Sequence, residues 1–306
     1  MSKVVIIIVN WNTGELLMNC VKSLQGLSEE ERGLIDEVIV VDNASTDRSI
    51  VKAQYIVGKS INKPRVRFIM NERNVGFARA NNLAIDRVLK KPGDFHVLLL
   101  NPDTEIRAGA LHGMLQVLQG DKKIGVVGPR LINSDGSVQP SVRSFPSFGE
   151  FVYLLLKLNR VASKSRRWQK YMRRDFDYAK QGSVDQIMGA AFLIRGVLTR
   201  SVGLLDERFW VWFEEVDYCK RVKQAGWDIV YTPEAEVMHY GGVSFNQLVS
   251  WKKTRPWLKS MMHYANKYFT AYERIVLWLL LPIAFILIIP SSVLHLVIKQ
   301  QNEKLL

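Results

Sequence analysis

The chain has 306 residues, 48% hydrophobic and 23% charged, which excludes a disordered protein and leaves room for one large domain or two modest ones. Its 42 Lys and Arg against 29 Asp and Glu leave a net charge of +13, so a partner or surface must answer it: nucleic acid, anionic lipid or a phosphorylated substrate. The two cysteines, Cys20 and Cys219, stand far apart without metal-ligand spacing, which argues against a disulfide framework and suits a reducing compartment.

The chain opens MSKVVIII, a basic start, but the polar Asn10-Trp11-Asn12 cuts the apolar run too short for a signal peptide. Val4–Val9 is an unbroken β-branched run, the pattern of a strand buried on both faces. A polar loop through Gly14 and a helix from Glu15 to Leu24 follow. Glu37–Val41 reads as the second strand, with Ser45 or Thr46 as N-cap candidates for the next helix. Arg65–Met70 reads as the third strand, and Asn74–Asn82 leads into a helix ending near Leu89. Val97–Leu100 is a fourth buried strand, stopped by Pro102, with a helix at Ala108–Leu118 beyond. Strands alternating with helices predict an α/β fold with a mostly parallel sheet.

No Gly-x-Gly-x-x-Gly or Gly-Lys-Ser/Thr loop is present. The strand ends instead offer polar side chains, Asn10, Asp42, Asn71 and Asp103. Open α/β sheets bind ligands at the carboxyl ends of their strands. The pattern suits a nucleotide held by side chains and a metal.

Asn133-Ser134-Asp135-Gly136 predicts a hairpin. Residues 148–174 carry eight bases, Lys157 to Arg174, with no acid between Glu150 and Asp175 and with aromatic and aliphatic residues interleaved. That pattern predicts a basic amphipathic helix at a membrane surface. RNA binding has no domain motif behind it. Gln186–Arg195 is a strand candidate. Glu214-Glu215-Val216-Asp217 opens a helix that runs to Gly226, more acids than a cap requires, after the aromatic run Phe209–Phe213. Trp227–Tyr231 reads as a strand before His239. Ile275–Ile298 is 24 residues without a charge, long enough to span a bilayer, and six bases between Lys252 and Arg274 put the preceding domain in the cytoplasm. Pro282 and Pro290 leave a re-entrant or in-plane helix pair as the other arrangement.

Val-Asn-Trp-Asn at 9–12, Val-Asp-Asn-Ala-Ser-Thr-Asp at 41–47, Asn-x-Gly-Phe-Ala-x-Ala-Asn-Asn at 74–82, Leu-Asn-Pro-Asp at 100–103 and Phe-Glu-Glu-Val-Asp-Tyr-Cys-x-Arg at 213–221 come in this order. Together they resemble the family 2 glycosyltransferases, and most of all their bacterial rhamnosyltransferase-like branch, from about Val4 to Gly242. The resemblance implies a GT-A fold over residues 1–245, with the basic segment as an insertion and residues 246–306 as a membrane-associated tail. It implies a nucleotide-diphosphate sugar donor, a divalent metal (Mg²⁺ or Mn²⁺) and inversion at the anomeric centre.

By the same resemblance, Asp42 matches the aspartate on the pyrimidine base, with Asn10 and Asn12 lining that pocket. Arg79 and Asn82 match the approach to the diphosphate. Asn101 and Asp103 occupy the Asp-x-Asp position, so one charged ligand is missing there. Glu214, Glu215 and Asp217 match the acidic cluster that supplies the base, with Glu215 preferred and Glu214 able to exchange roles with it. In related galactofuranosyltransferases a histidine completes the metal site, and His239, 24 residues after Glu215, stands at that spacing. The expectation is a rhamnosyltransferase on the cytoplasmic face of a bacterial inner membrane, using dTDP-rhamnose and a polyprenyl-diphosphate-linked glycan. A UDP-sugar donor (galactofuranose or hexose) is the alternative, and a non-catalytic membrane scaffold the rival.

Overall fold

The computed structural model describes residues 2–59, 64–241 and 250–303, with side chains described to Leu287. Strand β1 (Val4–Asn10) is followed by helices α1 (Leu16–Gln25) and α2 (Glu29–Leu34). Then come β2 (Ile35–Asp42), α3 (Ser49–Gly58), β3 (Val66–Met70), α4 (Phe77–Leu89) and β4 (His96–Leu100). The short β5 (Thr104–Ile106) and α5 (Ala110–Gly120) lead to β6 (Ile124–Ile132). Two-residue strands β7 (Val138–Gln139) and β8 (Val142–Arg143) precede three short helices, α6 (Phe148–Leu155), α7 (Leu158–Val161) and α8 (Arg166–Tyr171). Strands β9 (Gly182–Ser183), β10 (Gln186–Ile187) and β11 (Ala191–Ile194) come next. They are followed by α9 (Leu198–Ser201), α10 (Glu214–Gln224), β12 (Asp228–His239), α11 (Ser250–Tyr268) and α12 (Ala271–Glu303).

The main sheet runs β3-β2-β1-β4-β11-β6-β12-β5. Its first four strands are parallel, as the βαβ reading expects. Beyond them β12 lies parallel to β6, whereas β11 lies antiparallel to both β4 and β6, and β5 antiparallel to β12. The sheet is therefore mixed: six of the eight strands in this order share one direction, and β11 and β5 run against them. The segment read as one strand at 186–195 divides at Met188–Ala190, so that β10 pairs with β8 and only β11 enters the main sheet.

The continuous apolar runs follow from cover on both faces. Val4, Ile6 and Ile8 of β1 pack with α1, α3 and α5, whereas Val5, Ile7 and Val9 pack with α4 and α10. All six are buried, each removing about 2 kcal/mol worth of apolar surface from water. A third cluster joins Phe151 and Leu155 of α6 to Phe209, Phe213 and Val216 and to Leu258, Met261 and Leu277 of the C-terminal helices. Helices α11 and α12 thus form the back wall of the chain around Glu214. The expected domain boundary near 245 lies outside the described residues.

Two local expectations change. Helix α3 begins at Ser49 with Arg48 as its unbonded cap, because Ser45 is drawn into Asp42 instead. The basic segment is three short helices, broken where Lys157 takes φ of 53° and restarted at the Ser165 cap. The Asn133–Gly136 turn forms as expected, with Gly136 N donating to Asn133 O. Among the described residues no helix is long and apolar enough to cross a membrane. The side chains of the second half of the Ile275–Ile298 stretch lie outside the described residues.

Candidate functional site

The loops at the carboxyl ends of β1, β2 and β4 meet the aromatic run before α10 around a cavity of about 380 Å³. Asn101 and Asp103 line it from the β4–β5 turn, His239 from the end of β12, and Glu214 and Glu215 from the first turn of α10. Trp11, Trp210 and Trp212 supply apolar wall, and Arg143 a cation. Residues scattered from Val9 to His239 converge because β12 pairs with β5, setting His239 opposite Thr104.

Trp212 and Phe213 both adopt left-handed backbone, with φ of 62° and 70°. Such conformations cost bulky residues of order 1–3 kcal/mol each and persist only where the surroundings enforce them. Here Phe213 is clamped in the third apolar cluster, and the turn delivers the two glutamates into the cavity at once. Gly76 permits the opposite wall. A Cβ at this position would lie 2.5 Å from Trp210 Cδ1, and Phe77 N donates to Trp210 O at 2.7 Å.

Glu214 and Glu215 are each left with one buried carboxylate oxygen lacking a hydrogen-bond partner among the described residues. Burial raises both carboxyls, and the charge of Glu215 pushes Glu214 well above its ordinary value. Raised carboxyls in a cavity are candidates for proton transfer.

Asp103 and His239 are both buried, with Oδ1 and Nε2 3.5 Å apart. The tautomer of His239 follows from a chain of bonds anchored at a carboxylate, which only accepts. Asp135 accepts from Ser137 Oγ, Ser137 Oγ from Asn133 Nδ2, and Asn133 Oδ1 from Gln139 Nε2. Gln139 therefore turns Oε1 to His239 Nδ1 at 2.7 Å. Nδ1 carries the proton and Nε2 keeps its lone pair on the Asp103 side, the arrangement of a metal-ligating histidine and its orienting partner.

Among the described residues no three His, Cys, Asp or Glu stand close enough to hold a metal alone. The oriented Asp103–His239 pair nevertheless fits a divalent ion that draws its other ligands from a diphosphate, since Mg²⁺ sites commonly use one or two carboxylates plus substrate phosphates. Imidazole suits the later transition metals better than it suits Mg²⁺.

The other expected residues stand outside the cavity wall. Asn10 and Asp42 are buried and bonded to each other at 2.8 Å, and Asp42 also holds Ser45 N and Oγ. Asn12 Oδ1 accepts from Thr46 N at 2.7 Å. Asn82 is bonded through both ends of its amide to Leu205, and Arg79 lies 3.8 Å from Glu207. Asp217 is fully buried and faces away, bonded to Arg221 at 2.8 Å and to Tyr268 Oη at 2.6 Å on α11. At 100° per residue Glu215 and Asp217 sit on opposite sides of a helix, so one cavity does not receive both. The sequence does not single out Arg143 and Gln139, and Trp210 stands in it only within the aromatic run Phe209–Phe213. The hairpin at 133–136 was the signal for the first two.

The family model described as "Glycosyl transferase family 2" matches residues 5–200. An N-acetylglucosaminyl-diphospho-decaprenol L-rhamnosyltransferase of Mycobacterium tuberculosis is 29% identical over 213 residues, 66% of this chain and 66% of that protein, just under two thirds of its length. The rhamnosyltransferase WbbL of Escherichia coli is 25% identical over 62% of this chain and 69% of its own. The solved mannosyltransferase PcManGT of Pyrobaculum calidifontis, in complex with GDP-Man and Mn²⁺, superposes with a TM-score of 0.56 at 14% identity, over 99% of this chain and 81% of that one. The likeness establishes the GT-A fold.

Proposed function

The chain belongs to glycosyl transferase family 2, and on that premise we propose that it is an inverting glycosyltransferase acting on a lipid-linked glycan. The narrower reading is transfer of L-rhamnose from dTDP-rhamnose to a polyprenyl-diphosphate-linked acceptor. The names of the two similar rhamnosyltransferases support the sugar, and that of the mycobacterial one the diphospho-lipid. The observation that carries the reaction class is the placement of the Glu214–Glu215 pair and the Asp103–His239 pair in one cavity.

In this reading the acceptor hydroxyl enters beside α10 and gives its proton to Glu215 as its oxygen bonds to the anomeric carbon. The bond from that carbon to the diphosphate breaks, and attack from the opposite face inverts the centre. Burial makes the Glu215 carboxylate a better base than a solvated one, which brings its proton affinity closer to neutral pH. Glu214, higher still, stays protonated and donates a hydrogen bond to an acceptor oxygen. Asp103 and His239 would hold a divalent cation, whose charge offsets that on the departing diphosphate. Trp210 and Trp212 keep water from the anomeric carbon and give the sugar an apolar face.

A UDP-sugar such as UDP-galactofuranose is the second donor reading, favoured by the spacing of His239 from Glu215. Against a non-catalytic scaffold stand the unpartnered oxygens of Glu214 and Glu215, which cost folding energy and brace nothing. We place the protein at the cytoplasmic face of a bacterial inner membrane. On α12, Tyr272, Ile275, Leu279 and Ile286 are each more than half exposed, an apolar stripe at helical spacing on the helix that Lys157 reaches at Leu287 O. Such a stripe fits a helix lying in the interface plane.

The test is release of dTDP or UDP from a panel of nucleotide sugars by protein reconstituted on anionic vesicles with a diphospholipid-linked GlcNAc acceptor and Mg²⁺ or Mn²⁺. Metal-dependent release from dTDP-rhamnose, abolished in Asp103→Ala, is expected. Release only from UDP-sugars moves the donor to the second reading. No release from any sugar by folded protein overturns the transferase.

A further inference from the structure

The transfer chemistry above leaves Arg143 without a part. Its guanidinium is half-buried in the cavity wall, and it forms no ion pair among the described residues, whereas nearby Arg167 and Arg221 each hold a carboxylate at 2.8 Å. An unpaired guanidinium in a concave site is a fork for a carboxylate or phosphate. The next residue faces a different space. Ser144 and Phe145 line a second hollow of about 380 Å³ together with Arg167, Lys170 and Tyr171. Ser144 N donates to Tyr171 O at 2.9 Å and its Oγ to Lys170 O at 3.4 Å, which fixes β8 against α8. The two hollows therefore adjoin across a single peptide, and a cation faces each: Arg143 inward and Lys170 outward. Lys157, at the start of the basic α7, donates from Nζ to Leu287 O of α12 at 2.5 Å.

We propose that Arg143, continued by Lys170, binds the diphosphate of a lipid-diphosphate acceptor, with its sugar at Glu214 and Glu215 and its hydrocarbon chain directed along α8 toward α12. The assignment rests on the glycosyl-transfer reading and names its acceptor subsite. A free sugar or a protein hydroxyl would present no anion to this track. The donor diphosphate would have its own counter-charge in the divalent cation that Asp103 and His239 would hold, on the β4 and β12 side. Arg143 instead shares the cavity with Glu215, whose ionised form it favours, and the residue after it, Ser144, is bonded to Tyr171 of α8.

The experiment compares wild type with Arg143→Gln, Arg143→Lys and Lys170→Gln. Binding of farnesyl diphosphate, inorganic pyrophosphate, dTDP and UDP is read by quenching of the cavity tryptophans. Transfer is read with one glycan linked either to a lipid diphosphate or to a plain alkyl chain. Arg143→Gln is expected to weaken farnesyl diphosphate about tenfold or more, the size of one charge-assisted contact, with dTDP and UDP unchanged. Arg143→Lys recovers part of the loss, and Lys170→Gln loses about threefold. Compared at a pH above the acid limb, transfer to the diphosphate-linked glycan falls by a larger factor in Arg143→Gln than transfer to the alkyl-linked one. Unchanged farnesyl diphosphate binding in Arg143→Gln overturns the proposal. An equal loss of dTDP and UDP overturns it in favour of the donor, and equal wild-type affinity for pyrophosphate removes the lipid. The binding arms need no turnover. Transfer failing with every nucleotide sugar while farnesyl diphosphate still depends on Arg143 overturns only the transferase reading.

Discussion

His239 presents Nε2 3.5 Å from Asp103 Oδ1 because Gln139 holds its Nδ1 proton at 2.7 Å. A side chain on a two-residue strand thereby decides which nitrogen faces the cavity. Gln139→Met keeps the volume and removes the acceptor. It is expected to weaken Mn²⁺ binding about 10- to 100-fold, the usual cost of losing a partner behind a ligating histidine. Calorimetric titration of Mn²⁺ with dTDP present checks this, and metal-free dTDP binding stays as in wild type.

The two glutamates divide by kinetics. Loss of the base costs about 10²–10⁴ in kcat. Glu215→Gln is expected to fall in that range and Glu214→Gln by less, with dTDP affinity kept in both. The reverse order makes Glu214 the base. Single-turnover transfer at saturating donor reads the difference.

Their pH behaviour has a definite sign. Both carboxyls are raised above the ordinary 4.5, so the fold favours their protonated forms. That contribution is complete below pH 4.5 and is lost as pH rises through the folded values. Glu214→Gln, neutral at every pH, is expected to melt higher than wild type at pH 8 and like wild type at pH 4. The acid limb of kcat/KM falls above 4.5. In Arg143→Gln it moves to still higher pH, because that guanidinium favours the ionised Glu215.

Asp217 is expected to matter for stability and not for the chemical step. It ties α10 to α11 through Tyr268 and Lys267, the last at 2.5 Å, and pairs within α10 with Arg221 at 2.8 Å. Removing one partner of a buried ion pair costs about 3–5 kcal/mol. Arg221 and Lys267 keep a fifth to a quarter of their side chains in water, so the lower end applies to Asp217→Asn. Urea melts measure the loss, and kcat of the folded fraction stays within about threefold.

Gly76→Ala tests the wall facing the glutamates. The added Cβ meets Trp210 Cδ1 at 2.5 Å and Trp210 O at 2.6 Å, in a backbone with φ of 90°. The chain has no room to yield without moving Trp210 off the cavity. A loss of about 2 kcal/mol or more and a drop in transfer are expected together. Tryptophan emission reports the displacement, and an unmoved spectrum with full transfer refutes it.

Much of this was legible in the chain. The β1, β2 and β4 runs are apolar without alternation because helices cover both faces of the sheet, so their burial could be read directly. Asp103, Glu214, Glu215 and His239 stood out through spacing within an ordered set of motifs. What local patterns do not carry is the partner across space. The antiparallel entry of β11 between β4 and β6, and of β5 beside β12, adds two reversed strands to a sheet whose other main strands share one direction, and the apolar runs alone do not show which strands reverse. Asp42, Asn82 and Asp217 look like ligand-binding groups in sequence. Folding gives each a buried protein partner, at Asn10, Leu205 and Arg221, which the motifs do not show. Arg143 shows the converse: an ordinary arginine in a turn-rich stretch, which the fold brings into the cavity wall with no ion pair among the described residues.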